Sequence, residues 1–174
     1  MAASIPRRDT YRTVVGWLLA VAGAVMAIVG IVAWVMVGAQ LKAQHMTVPD
    51  DANSNAGKTV AGPFTAWSMQ ETIGKHANNA TDGLTYAELG DVVNQAKEEF
   101  GEDSPEAAAA QGIRTTALNA SLLRSSLFTS ILAFGVSLLA FGTGAVTLLG
   151  GTVILRRPNE VVLEVTDSET VTVD

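Results

Sequence analysis

Apolar residues run almost unbroken from Val14 to Gln40 and again from Leu127 to Leu155, and no ionisable side chain falls between Thr13 and Leu41 or between Ser125 and Leu155. A hydrocarbon core of about 30 Å is crossed by about 20 helical residues, so each run is long enough to span it. The pattern predicts an all-α membrane protein: an antiparallel two-helix transmembrane hairpin carrying a small helical extracytoplasmic cap. Its parts are a cytoplasmic N-terminus (1–13), transmembrane helix 1 (14–40), an extracytoplasmic helical region (41–126), transmembrane helix 2 (127–155) and a cytoplasmic acidic tail (156–174). A cleaved signal peptide, cut near Val37-Gly38-Ala39, is the competing reading of the first run. The run is longer than the roughly 7–15 apolar residues such a leader carries.

Small residues form a stripe on each apolar run. In the first, Gly16, Ala20, Gly23, Ala27 and Gly30 recur at steps of four and three; in the second, Ser137, Ala140, Gly144, Thr147 and Gly151 recur at three and four. Pairing Gly16 with Gly151, Ala20 with Thr147, Gly23 with Gly144, Ala27 with Ala140 and Gly30 with Ser137 keeps the sum of residue numbers constant, as antiparallel helices require. Within lipid, small residues allow backbones to approach, and dispersion with weak interhelical hydrogen bonds supplies the attraction. The stripes predict a left-handed intramolecular seam. Ala24, Gly135, Gly142 and Gly150 offer competing faces, and Gly135 with Gly142 would suit a homo-oligomer.

Between the runs the pattern changes to short helices. Thr47 to Val60, with Pro49, Asn53, Ser54, Asn55 and Gly57, reads as an irregular loop. Gly62-Pro63 starts a helix to about Asn79, whose apolar face would be Phe64, Trp67, Ile73 and Ala77. Thr85 and Glu88 have capping-box spacing for a second helix through Phe100, with Leu89, Val92, Val93, Ala96 and Phe100 inward. Ser104-Pro105-Glu106 starts a third, which nothing interrupts before the second apolar run. Ile113, Ala117, Leu118 and Leu122 would be its face for the two shorter helices.

Charge fixes an expected orientation. Arg7, Arg8 and Arg12 precede the first run and Arg156 and Arg157 follow the second, against Lys42 and Arg124 on the other side. Bases beside a span resist translocation, so both termini are expected in the cytoplasm of a multi-pass cell-membrane protein. The middle segment carries six bases and eleven acids, and nothing in this balance argues for nucleic acid. Cysteine is absent, which removes disulfides and thiolate metal sites.

Candidate chemistry is sparse. His45 and His76 are the only histidines, and with Glu71 they would make up the ligand set of a facial iron site, but no ligand motif links them. Glu71 and Lys75 have the spacing of a surface ion pair. Glu98, Glu99, Glu102 and Asp103 lack the alternation of a calcium loop and read as a solvated acidic surface. The apolar runs hold no ionisable group of the sort that proton relays and ion pathways use. Trp17 and Trp34 lie near opposite ends of the first run, where interfacial anchors belong. Asn79-Ala-Thr81 and Asn119-Ala-Ser121 match the glycosylation acceptor pattern. No catalytic residue, metal ligand or cofactor is expected.

The tail from Pro158 to Asp174 alternates Val161, Leu163, Val165 and later Val171, Val173 with polar residues. It reads either as a disordered acidic tail or as an extended segment that adds to a partner's sheet.

The stretches 47–51 (TVPDD), 61–66 (AGPFTA), 83–89 (GLTYAEL) and 121–135 (SLLRSSLFTSILAFG) resemble a family of actinobacterial two-span membrane proteins of unassigned function. The resemblance covers about Arg12 to Arg157, and the stretch Asp91 to Ala110 is longer than the family pattern. Some such proteins bear the name aromatic ring-opening dioxygenase, although the residues here show neither an iron triad nor a soluble substrate-binding domain. The leading expectation is a non-enzymatic accessory or scaffold protein. It would sit in the lipid bilayer and bind another membrane or envelope protein, or a second copy of itself, through the outer helical region. The alternatives are a dioxygenase-type enzyme and a small membrane sensor.

Overall fold

The structure is a computed structural model that describes residues 10–156; Arg7, Arg8, Arg157 and the acidic tail lie outside the described residues. The described residues form four helices, α1 (Thr10–Ala43), α2 (Pro63–Ala80), α3 (Tyr86–Phe100) and α4 (Pro105–Arg156), without strands. Two of them, α1 and α4, are long and apolar enough to cross a membrane.

Local chemistry sets the helix starts. Pro63 occupies the first turn of α2, and the Thr65 hydroxyl accepts from the backbone N–H groups of Ala61 (3.1 Å) and Gly62 (3.2 Å). At α3 the Thr85 hydroxyl accepts from the Glu88 N–H at 3.3 Å, while the Glu88 carboxylate accepts from the Thr85 N–H at 2.8 Å. Asp82 and Gly83, both at positive φ, turn the chain between α2 and α3. The Ser104 hydroxyl accepts from the Ala107 N–H at 3.1 Å, and Pro105 opens α4. From there the helix runs unbroken for 52 residues, about 78 Å at 1.5 Å per residue.

That helix is the spine of the molecule. α1 packs along its C-terminal part, and α2 and α3 pack along its N-terminal part; α1, α2 and α3 do not pack against one another. The largest cluster of buried side chains lies where the two regimes meet: Leu41, Val48, Val60, Ala66, Leu127 and Phe134. Trp34 meets Phe134 edge to face with ring centroids 4.8 Å apart.

Three inward faces agree only in part with those predicted by helical periodicity: Ile73, Leu89, Val93 and Ala117 are inward as expected, and others are not. On α2, Phe64 and Trp67 point outward and Ala66, Ser68 and Thr72 are buried. On α3, Leu89, Gly90 and Val93 are buried, while Val92 and Phe100 are exposed. On α4, Ala107, Ala110 and Ala117 face the short helices, and Ile113, Leu118 and Leu122 do not. On α2 and α4 the contact runs through small residues flanked by the long apolar side chains, whereas α3 joins Gly90 to the buried Leu89 and Val93. The loop from Thr47 to Val60 also packs, contrary to its punctuating composition. A bridge between Thr47 and Thr59 closes it, and Val48 and Val60 at its two ends are 1% and 0% exposed.

Candidate functional site

The predicted seam residues can be placed one by one. Gly16, Ala20, Gly23 and Gly30 of α1 and Ser137, Gly144 and Gly151 of α4 are buried; Ala27, Ala140 and Thr147 are half-buried. A methyl group on Gly23 would fall on the Leu148 nitrogen and 2.6 Å from the Gly144 carbonyl oxygen. On Gly30 it would lie 2.7 Å from the Ser137 carbonyl oxygen, and on Gly151 2.7 Å from that of Gly16. Residue numbers thus rise along α1 as they fall along α4. Ala27 and Ala20 in turn face Gly144 and Gly151, so these α4 glycines each sit between two residues of α1. Gly135, Gly142 and Gly150 have open space where a side chain would stand.

One expectation about the seam changes. The Ser137 hydroxyl donates to the Ala133 carbonyl at 2.7 Å and that of Thr147 to the Thr143 carbonyl at 2.8 Å. Both donate within α4 rather than across the interface, so neither hydroxyl hydrogen supplies an interhelical bond.

Beyond the seam, α2 and α3 attach to α4 in the same manner, each laying a glycine over an arginine. Gly74 of α2 lies against Arg124, whose Nε donates to Gln70 Oε1 at 3.5 Å. Gly90 of α3 lies against Arg114, whose guanidinium carbon is 4.4 Å from the centroid of the Tyr86 ring. In both cases it is the guanidinium head that lies against the glycine, and the Arg114 Nε buried there has no hydrogen-bond partner among the described residues. Sequence reasoning missed this pair of contacts; its signal was a Gly and an Arg within otherwise helical stretches.

The loop 47–60 is strapped to α2 by polar side chains. Asn53 donates to Glu71 at 2.9 Å, Asn55 donates to Ser68 at 3.0 Å, and Ser54 and Ser68 share a hydrogen bond of 2.8 Å. Asp51 lies 2.7 Å from His76 and 3.6 Å from Lys75. Glu71 and Lys75 are therefore engaged with the loop, not with each other. The hydrogen bond from His76, aided by the nearby charges of His76 and Lys75, holds the Asp51 carboxyl below its ordinary pKa. The strap draws His76 into a hydrogen bond with Asp51, whereas His45 stands at positive φ two residues past the end of α1. Among the described residues no three His, Asp or Glu side chains are grouped to hold a metal ion.

A cleft of about 490 Å³ opens between the C-terminal end of α1 and α4. Met36, Val37 and Ala133 line its apolar end, and Gln40, Gln44, Ser126 and Ser130 bring amides and hydroxyls to the other. None of its lining side chains is ionisable, so it offers hydrogen bonds to neutral groups together with apolar contact. No family model matches the chain, and neither a curated protein nor a solved structure is similar to it.

Proposed function

We propose that this is a non-enzymatic integral membrane protein that spans the bilayer twice as a hairpin with both termini in the cytoplasm. Its outer helical region serves as a scaffold for another membrane or envelope protein. The reading rests on the course of α4. One unbroken helix passes from an apolar segment paired with α1 into a polar segment where α2 and α3 clasp it, still leaving Leu118 and Leu122, a turn apart, uncovered. Such a spine couples whatever docks on the outer region to the helices in the bilayer.

Support for the membrane part comes from exposure. Only 17% of the apolar window of either long helix is buried, and Leu18, Val25, Ile28, Val32, Leu139 and Val146 are among the uncovered side chains. Soluble monomers rarely expose apolar surface on this scale, whereas lipid would cover it at no cost. The arginines that flank the apolar segments set the orientation.

A photoreactive residue at Leu118 or Leu122, activated in native membranes, tests the reading. It predicts one discrete adduct larger than a dimer of the chain or distinct from it in mass, absent when the probe replaces exposed Val146 in the apolar segment. Reaction with lipid or water alone at positions 118 and 122 would remove the scaffold role. Recovery of the intact chain as a water-soluble species would remove the membrane role as well.

A further inference from the structure

We propose that the first turn of α2, through Phe64 and Trp67, is seated in the headgroup layer of the outer leaflet and fixes the outer bundle against the membrane surface. The inference rests on the membrane-spanning reading above and goes beyond it by naming a third point of lipid contact outside both spans.

Depth carries the argument. A hydrocarbon core takes about 20 helical residues. Counted outward from Arg12 they end near Trp34, and counted outward from Arg156 they end near Phe134. Trp34 and Phe134 touch, with centroids 4.8 Å apart, so Arg12 and Arg156 lie at one level and a core of about 20 residues measured from them ends near that contact. Gly38 stands one turn beyond Trp34, about 6 Å further out. The carbonyl oxygen of Ala61 is 3.0 Å from where a methyl group on Gly38 would stand, so the chain that leads into α2 lies at the level of Gly38. The headgroup layer is about 5–7 Å thick on each side, which places Pro63 and Phe64 within it. From there α2 runs outward, since Gly74 lies against Arg124 on the distal part of α4. Trp67 follows Phe64 by one turn, its backbone just above that layer, and its ring reaches back into it because a helical side chain tilts toward the N-terminus of its helix.

Chemistry agrees with depth. Phe64 is 80% exposed and Trp67 49% exposed, although both are large and aromatic and the helix had smaller residues to present outward. Aromatic rings, and Trp above all with its apolar body and one N–H donor, are enriched at the level of the lipid headgroups. An aromatic pair turned away from the protein core at that depth is matched to the bilayer interface. The same helix keeps Ala66, Ser68 and Thr72 for the protein side.

The test uses tryptophan fluorescence of the full chain in phosphatidylcholine–phosphatidylglycerol vesicles that carry a spin label either on the headgroup or deep in the acyl chain. Three variants keep one tryptophan each, with Phe in place of the other two. In the variant Trp17→Phe/Trp34→Phe, Trp67 should emit to the blue of free tryptophan, and the headgroup label should quench it at least about twofold more than the deep label. Adding Phe64→Ser should lower that headgroup quenching by about half. Trp67 open to aqueous iodide and insensitive to both lipid labels, while Trp17 and Trp34 sense them, would overturn the anchor and leave the spans standing. Trp67 shielded from iodide and from both labels would assign the patch to a protein contact and also overturn it. If Trp17 and Trp34 sense no lipid label either, the spanning reading falls and the anchor with it.

Discussion

The guanidinium of Arg114 lies 4.4 Å from the centroid of the Tyr86 ring, and this contact ties the first turn of α3 to the N-terminal part of α4. α3 packs on no helix except α4, and besides this contact its docking rests on the buried Leu89 and Val93. Arg114→Ala should loosen α3 and leave α2 in place. A cation over a tyrosine face is worth about 0.5–2 kcal/mol depending on desolvation. Amide hydrogen exchange should show faster exchange across residues 86–100 with little change across 63–80; equal loss in both would mean that the two helices dock as one unit.

The glycines of α4 divide into two kinds, and substitution should separate them. Gly144→Ala places a methyl group against the Ala27 nitrogen and should destabilise the α1–α4 pair by about 1–3 kcal/mol, the range for overpacking. Gly142→Ala, with nothing within reach of its methyl group, should be neutral or slightly stabilising because alanine favours helix. Thermal unfolding in detergent reads both. Equal effects would show that the seam is not held by close backbone approach.

Phe134 and Phe64 should differ as sharply. Phe134 is 1% exposed and touches Trp34, so Phe134→Ala opens a cavity at the junction of the two packing regimes and should cost about 3–5 kcal/mol. Phe64→Ala removes a ring that protein does not cover and should leave unfolding in detergent nearly unchanged.

Acid should weaken the packing of α2 and α3 in a definite window. Hydrogen bonds from the Thr85 hydroxyl and N–H hold the Glu88 carboxyl below its ordinary pKa of 4.5, and the His76 contact holds Asp51 below 3.8. A depressed folded-state pKa means stabilisation that is fully present above the ordinary value and is lost as pH falls through the lower, folded-state value. Helicity of the outer region should therefore be flat between about pH 5 and 7 and fall below 4.5. Glu88→Gln should reduce the acid-dependent part of the loss that arises at α3. A decline that begins near neutral pH would point to other groups.

The inward faces show where sequence reading reached its limit. Helical periodicity turned Phe64 and Trp67 toward the protein, because burial of large apolar side chains is the usual driving force in water. The structure instead buries Ala66 and Thr72, since a helix laid on the α4 spine comes closest through its smallest residues. Glu71 and Lys75 show the same limit. Their spacing suits a pair within one helix, but the loop beside α2 supplies Asn53 and Asp51, and those partners are invisible to periodicity.

What the amino-acid sequence determined by itself was local. Pro63, the Thr85–Glu88 box and Ser104-Pro105 start their helices through contacts within four residues, and two long apolar segments and their stripes of small residues follow from composition and spacing. Tertiary structure alone decided what depends on distant partners. It made α4 the spine, buried Val48 and Val60 of an apparent linker against Leu127 and Phe134, and laid Gly74 and Gly90 over Arg124 and Arg114. Those choices minimise void volume among segments far apart in the chain, and no window of neighbouring residues contains that information.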